Sequence, residues 1–358
     1  MKAVLKYAPG DGYVDLREVA EPVCGPRQVR IEVAFCGVCG TDLHVLHDTF
    51  RNYPPVILGH ELSGTVVEVG REAVGVALGE RVAILGATAV TCGECAGCRS
   101  GYFLFCPHRR GMGHGVDGGF TRYVLARPDQ LYRIPDGMTL EEGALSEPFA
   151  AIVQAVLEIA RVRRGETALV SGPGPMGLLC LKLLVAEGLT TIVAGTSADR
   201  ARLEAAQRFG AAATVDVETQ VLADVVRDVT RGAGVDVSFD CAGHPSSVRG
   251  CLDALRAMGR HTQVAICGQD IPFPMDRVFY KQLTIAGSIC YTARTWERMF
   301  EIFAEGRIRL HDLVSHTLPI REWRTAFDLC LERKALKVLL YPEGRVGPPG
   351  LEPGTDRL

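Results

Sequence analysis

The chain has 358 residues, 47% of them hydrophobic, with 39 lysines and arginines against 42 aspartates and glutamates and a net charge of -3. That length suits two domains, each able to bury its own core. The balanced charge, with no basic run, argues against nucleic-acid or membrane-surface partners and points to a small molecule. The cysteines number thirteen, an odd count, and the N-terminus MKAVLKYAPGDGY lacks the apolar core of a signal peptide. With no apolar run of roughly 18 residues, the expectation is a reduced, soluble, cytoplasmic protein.

Residues 1 to 90 alternate short apolar runs (Val29 to Phe35, Gly64 to Val69, Arg81 to Leu85) with Gly and Pro, which predicts a mostly β region. Within it, Gly37 to Gly64 holds GVCGTDLH and GHELSG, carrying Cys39, Thr41, Asp42, His44, His60 and Glu61. Thiolate, imidazole and carboxylate are what zinc accepts, and three protein ligands with one open position is the catalytic pattern. The competing reading makes Cys36 and Cys39 small buried hydrophobes and His60 a core histidine. Helical spacing is weak here, so both motifs are expected at loop or strand ends.

Next, CGECAGCRSGYFLFC places Cys92, Cys95, Cys98 and Cys106 in one short loop. Four thiolates with no open position predict a structural zinc; iron-sulfur spacings and a two-cysteine redox pair fit less well. GGFTRYVLARPDQLYRIP, from Gly118 to Pro135, predicts a hairpin, and Ala150, Val153, Val156, Leu157 and Ala160 a long helix leaving the first domain.

TALVSGPGPMG, from Thr167 to Gly177, sets Gly172, Gly174 and Gly177 in GxGxxG spacing between an apolar strand and a helix. In that context the glycines allow a tight turn and close approach of backbone to a pyrophosphate, with the helix N-terminus facing the phosphates. Strand-like runs follow at Thr191 to Ala194, Val235 to Phe239, Arg260 to Ile266 and Leu283 to Ala286. Helical runs lie between, at Arg200 to Phe209, Val221 to Thr230 and Val248 to Met258, which predicts a doubly wound parallel sheet. After Gly287, the helices TWERMFEIFAEG and EWRTAFDLCLERKALKV are too little for a third domain and return to the first. The Gly- and Pro-rich tail, residues 343 to 358, is expected to be flexible.

In this order, a β-rich metal region, a four-cysteine loop and a Rossmann turn resemble the zinc-dependent medium-chain dehydrogenase/reductase family, over residues 1 to 342. The motifs are CGTDLH at Cys39, GHELSG at Gly59, the four-cysteine loop, DGGF at Asp117, GPGPMG at Gly172 and GSICY at Gly287. The resemblance implies an α/β protein with a GroES-like catalytic domain (1–150 and 291–342) and a Rossmann NAD(P)-binding domain (151–290). It implies two zinc ions per chain, one structural on Cys92, Cys95, Cys98 and Cys106, and one catalytic on Cys39 and His60. Glu61 or Glu147, the latter in LSEPFA, completes the catalytic site as in the sorbitol branch, whereas the alcohol dehydrogenase branch has cysteine where this chain has Glu147.

The implied reaction is oxidation of an alcohol: zinc acts as Lewis acid on the hydroxyl and hydride passes to the nicotinamide, while Thr41 and His44 relay the proton. Asp42 is expected to support the zinc histidine. For the cofactor the resemblance implicates Gly172, Gly174, Pro175, Met176 and Gly177, then Thr196, Ser197, Asp199 and Arg200, and also Cys241, Ala242, Ile266, Gly287 and Ser288. The usual acid at the end of the second Rossmann strand is absent, so Asp199 is its candidate substitute and NAD and NADP both fit. Cys290 stands where sorbitol dehydrogenases carry arginine, which leaves Tyr291 as the substrate-binding candidate and implies a polyol, cyclitol or sugar derivative other than sorbitol. An L-threonine 3-dehydrogenase-like enzyme and a non-catalytic nucleotide-binding zinc protein are the alternatives. The family implies a homodimer or homotetramer, paired through the strand at Leu283 to Gly287.

Overall fold

The computed structural model describes residues 1–272 and 275–343. They form two compact units: Met1–Glu147 with Thr292–Glu305 and the chain from Arg309 on, and Pro148–Tyr291 with Gly306–Ile308. The tail expected to be flexible lies outside the described residues from 344 onward.

The first unit is built on a seven-stranded sheet. Its path runs His316–Pro319, Val338–Tyr341, Val29–Gly37, Glu61–Val69, Arg81–Ile84 and Leu131–Arg133, and Tyr123–Ala126 pairs with Val29–Gly37. A smaller sheet joins Val14–Glu18, Lys2–Lys6 and Val56–Ile57. In Val29–Gly37 the early residues alternate between buried and partly exposed, the period of a strand with one face in the core, and the last five are buried on both faces. Val29, Ile31, Val33 and Cys36 pack there with Leu58, Leu62, Phe120 and Phe327 in one core. The strand therefore enters the interior just before it delivers Cys39.

The second unit carries six parallel strands in the order Ala213–Asp216, Thr190–Gly195, Thr167–Ser171, Val235–Asp240, Leu255–Gln263, Thr284–Gly287. Counted along the unit this is 3-2-1-4-5-6, the order of dinucleotide-binding Rossmann sheets. The GroES-like unit with a Rossmann sheet is the fold class expected from the sequence.

Three local expectations are corrected. The hairpin expected over 118–135 does not form: Tyr123–Ala126 pairs with Val29–Glu32 and Leu131–Arg133 with Val82–Ile84, separated by a turn at Pro128–Gln130. The last helix was expected to run to Val338, but it stops at Leu331. Arg333 adopts a left-handed φ of 57°, and Val338–Tyr341, with Val338 and Leu339 fully buried, becomes a central strand instead. The strand Ala213–Asp216 was missed, because ATVD is short, and only Val215 is fully buried.

Candidate functional site

As expected, Cys39 lies just past a strand end: it follows Val29–Gly37 by two residues, in extended backbone, and caps a short helix, Gly40–Leu46. Asp42, in the helix's first turn and 1% exposed, reaches back with its carboxylate to accept from Cys39 N–H at 2.9 Å and from Gly59 N–H at 3.2 Å. One buried carboxylate thus ties GVCGTDLH to GHELSG, using donors a helix start leaves unpaired. Gly59 turns the chain with φ of 88°, and a methyl there would lie 2.7 Å from both Cys36 Sγ and the Phe120 ring. This turn sets His60 and Glu61 at the head of the strand Glu61–Val69.

One ligand atom from each of Cys39, His60 and Glu61 lies within 4.8 Å of the others. Glu147, in the first turn of Ser146–Val153, is not part of this cluster. Asp42 Oδ1 faces His60 Nδ1 at 3.7 Å, beyond hydrogen-bond length, and that buried nitrogen has no hydrogen-bond partner among the described residues. Burial opposes a charge on His60, but Asp42 and Cys39 outweigh it and raise its pKa. A thiolate, an imidazole and a carboxylate converge in a place that favours positive charge, and this donor set fits zinc.

Lys337 belongs to the same site, and sequence reasoning had missed it. It precedes the strand Val338–Tyr341, is 3% exposed, forms an ion pair with Glu61 Oε2 and donates to Val38 O at 2.9 Å. Burial lowers its pKa, but Glu61 and Cys39 more than offset this and hold it above the ordinary lysine value. A lysine in the apolar run ALKVLLY was the available signal. His114 was also missed: its ring stacks edge-on against Phe50 with centroids 5.2 Å apart, and burial, helped by His60 and Arg109, pulls its pKa to about 4.

Of the expected proton carriers, Thr41 Oγ1 lies 3.8 Å from Cys39 Sγ, and the exposed His44 shares 3.0 Å between Nδ1 and Thr49 Oγ1. Tyr291, the expected substrate-binding residue, is 1% exposed.

The four-cysteine loop is gathered independently. Cys92 Sγ lies 3.6 Å from Cys106 Sγ and 3.9 Å from Cys98 Sγ. Zinc–sulfur bonds of roughly 2.3 Å in a tetrahedron require sulfurs roughly 3.8 Å apart, far beyond a disulfide. Backbone N–H groups of Cys95, Cys98 and Cys92 reach Cys92, Cys95 and Cys106 sulfurs, each at 3.4 Å. Such donors favour thiolates, and the Cys95 N–H is the main reason the Cys92 pKa falls to about 6. The loop fits a structural zinc.

In the second unit, Gly172 follows the strand Thr167–Ser171 with φ of 95°, and a methyl there would meet Ala242 at 2.7 to 2.9 Å. Gly174 caps the helix Pro175–Ala186, placing Pro175, Met176 and Gly177 in its first turn. Cys241 N–H donates to Ser171 O at 2.8 Å and Ser288 N–H to Gln263 O at 2.9 Å. Cys241, Ala242, Ile266, Gly287 and Ser288 therefore all lie at or just past the carboxyl ends of parallel strands, where open α/β sheets bind ligands. Gly172→Ala is expected to cost about 1–3 kcal/mol in backbone strain and to abolish NADH binding, checked by thermal unfolding and fluorescence titration. Wild-type affinity in that variant would contradict the role of the turn.

Residues 25–136 match the family described as alcohol dehydrogenase GroES-like domain, and residues 175–305 the family described as zinc-binding dehydrogenase. The chain is 34% identical over 343 residues to a sorbitol dehydrogenase of Halalkalibacterium halodurans, covering 96% of this chain and 99% of the relative. It is also 34% identical to a D-arabitol-phosphate dehydrogenase of Enterococcus avium, over 95% and 97% of the two chains. Among solved structures, a zinc-binding dehydrogenase of Sinorhizobium meliloti bound to NADP superimposes with a TM-score of 0.86 at 30% identity, covering 95% of this chain and 99% of that one. Similarity of this extent, spanning both units, shows that the chain belongs to the zinc-dependent medium-chain dehydrogenase/reductase family of the alcohol dehydrogenase superfamily.

Proposed function

We propose that this enzyme oxidises a secondary hydroxyl of a polyol, cyclitol or sugar derivative to a ketone, with NAD(P)+ as hydride acceptor. The observation that carries the reading is the convergence of Cys39, His60 and Glu61, and Glu147 stands where the alcohol dehydrogenase branch has cysteine. The relatives named sorbitol and D-arabitol-phosphate dehydrogenase support the substrate class.

Cys39, His60 and Glu61 would hold the catalytic zinc, and Glu147 lies outside the ligand cluster. When bound, zinc supplies Lewis-acid polarisation of the substrate hydroxyl, and the nicotinamide supplies the hydride acceptor. Asp42 fixes the two ligand-bearing turns, and because it faces His60 Nδ1 it leaves Nε2 to the metal. The Thr41 hydroxyl, able to donate and accept and 3.8 Å from Cys39 Sγ, would take the substrate proton. His44, exposed and bonded through Nδ1 to Thr49, would pass a proton to solvent.

The test combines zinc analysis with NAD(P)H absorbance across a panel of polyols, cyclitols and threonine. Two zinc ions per chain and turnover of a polyol are expected. Two zinc ions with no reduced cofactor from any alcohol would overturn the reading, and turnover of threonine alone would move it to the amino-acid branch.

All thirteen cysteines are unbridged, and among the described residues no helix is long and apolar enough to cross a membrane. This supports a reducing, cytoplasmic setting. Thr284–Gly287 is the edge of the parallel sheet, with Ile285 44% and Ile289 57% exposed, which supports pairing of two copies along it. Light scattering giving twice or four times the chain mass is the expected result.

A further inference from the structure

We propose that this chain selects NAD over NADP, and that Asp216, from the third strand of the Rossmann sheet, takes the role of the ribose-binding acid that the second strand lacks. The inference rests on reading the Gly172 turn as the dinucleotide site.

In Rossmann domains an acid about 20 residues past the glycines receives the adenosine ribose 2′-hydroxyl. Here the second strand, Thr190–Gly195, ends without one. Asp199 comes next but is turned inward: its carboxylate accepts from Thr196 N–H at 3.2 Å and Thr196 Oγ1–H at 2.9 Å, lies 3.5 Å from Arg202, and is 6% exposed. It holds a turn and is not presented to a ribose.

The neighbouring strand supplies the charge instead. Ala213–Asp216 runs parallel to the second strand with Asp216 opposite Gly195. Asp216 Oδ2 accepts from Ser197 Oγ–H at 2.6 Å, and Glu218 Oε2 accepts from Ser197 N–H at 3.0 Å. Gly195 lies against the glycine-rich turn, since a methyl on it would sit 2.8 Å from Pro173 Cγ. The serine and its two carboxylates thus occupy the strand end beside the pyrophosphate turn. The Ser197 bond also lowers the pKa of Asp216 and keeps it anionic at neutral pH. A carboxylate holding one hydroxyl keeps lone pairs for another.

Of the cations nearby, Arg202 is 10% exposed and lies against Asp199, while Arg200 is 86% exposed and lies 3.3 Å from Glu204 on its own helix. A 2′-phosphate carries a charge of about -1.5 to -2. At the strand end it would be set against the two carboxylates of Asp216 and Glu218, so a preference for NADH of at least about tenfold is expected.

The experiment is calorimetric titration of the zinc-loaded enzyme with NADH and NADPH, for the wild type, Asp216→Asn and Glu218→Gln, with folding checked by circular dichroism. The wild type should bind NADH at least tenfold more tightly. Asp216→Asn should weaken NADH several-fold and strengthen NADPH. Glu218→Gln, which keeps an acceptor for Ser197 N–H but removes a charge, should shift the affinity ratio toward NADPH. NADPH binding as tight as NADH in the wild type, or an unchanged ratio in both variants, would overturn the preference while leaving the dinucleotide site standing. Binding of neither nucleotide would overturn both.

Discussion

Replacing Cys39 with alanine should leave a folded protein that holds one zinc ion instead of two and has no measurable dehydrogenase activity. The expectation follows from where the side chain sits. Cys39 is half-buried at a helix cap, and the backbone of its turn is held by Asp42 rather than by its own sulfur. Removing the sulfur deletes a metal ligand without opening the core behind it, where Cys36 and Val38 stay buried. The loss should appear in kcat, by at least about a thousandfold, because the Lewis acid at the reacting oxygen goes with the ligand. The melting temperature should move by only a few degrees.

Cys92→Ser should behave oppositely. Its loop has few buried apolar residues, with Cys95, Cys98 and the helical turns beside them only partly covered, so little besides a bound metal holds its shape. Metal binding there is folding free energy. A clear fall in melting temperature with partial retention of activity per folded molecule is expected, read by zinc content, calorimetry and kinetics on the same preparations. Equal unfolding in both variants would end the division into a catalytic and a structural site.

That division was legible in the sequence because both sites are written as short, dense motifs. The Rossmann turn was legible for the same reason: glycine spacing between an apolar strand and a helix is a local signal. What was not legible depends on distant chain. Glu61 and Glu147 read as equals in the sequence; Glu61 follows His60 directly, but only folding brings its carboxylate within 4.8 Å of the Cys39 sulfur. Asp199 stood in the expected stretch, yet its carboxylate is drawn inward by Thr196 and Arg202, while Asp216 arrives from a strand too short to register by periodicity. Lys337 escaped because the run around it continues a helical pattern, and the left-handed Arg333 that breaks the helix leaves no mark in composition. The pairing of Tyr123–Ala126 with Val29–Glu32, in place of a local hairpin, is likewise a long-range choice made by core burial.

Lys337→Met should destabilise the zinc-free enzyme by about 3–5 kcal/mol, the range for a buried ion pair that loses one partner. Glu61 is 1% exposed and Lys337 3%, so the carboxylate left behind cannot turn to water. For a chain of 358 residues the fall is roughly 4–7 °C in melting temperature. The raised pKa of Lys337 fixes the pH window. A lysine whose folded pKa lies above its unfolded value of 10.5 stabilises fully below that value and loses the effect only as pH rises past its folded pKa. The wild-type advantage should therefore be flat between pH 6 and 9. Zinc should shrink the difference, because a dication ligated by Glu61 takes over the neutralising role, and the variant should bind zinc more tightly than the wild type does. Adding Glu61→Gln to Lys337→Met should recover much of the zinc-free stability, since no unpaired charge then remains. If Glu61 is not a ligand, zinc will leave the deficit of Lys337→Met unchanged, and calorimetry with and without chelator decides between the two. A zinc-free melting temperature equal to that of the wild type would mean that the ion pair contributes nothing to the fold, and that Lys337 does not set the charge state of the site.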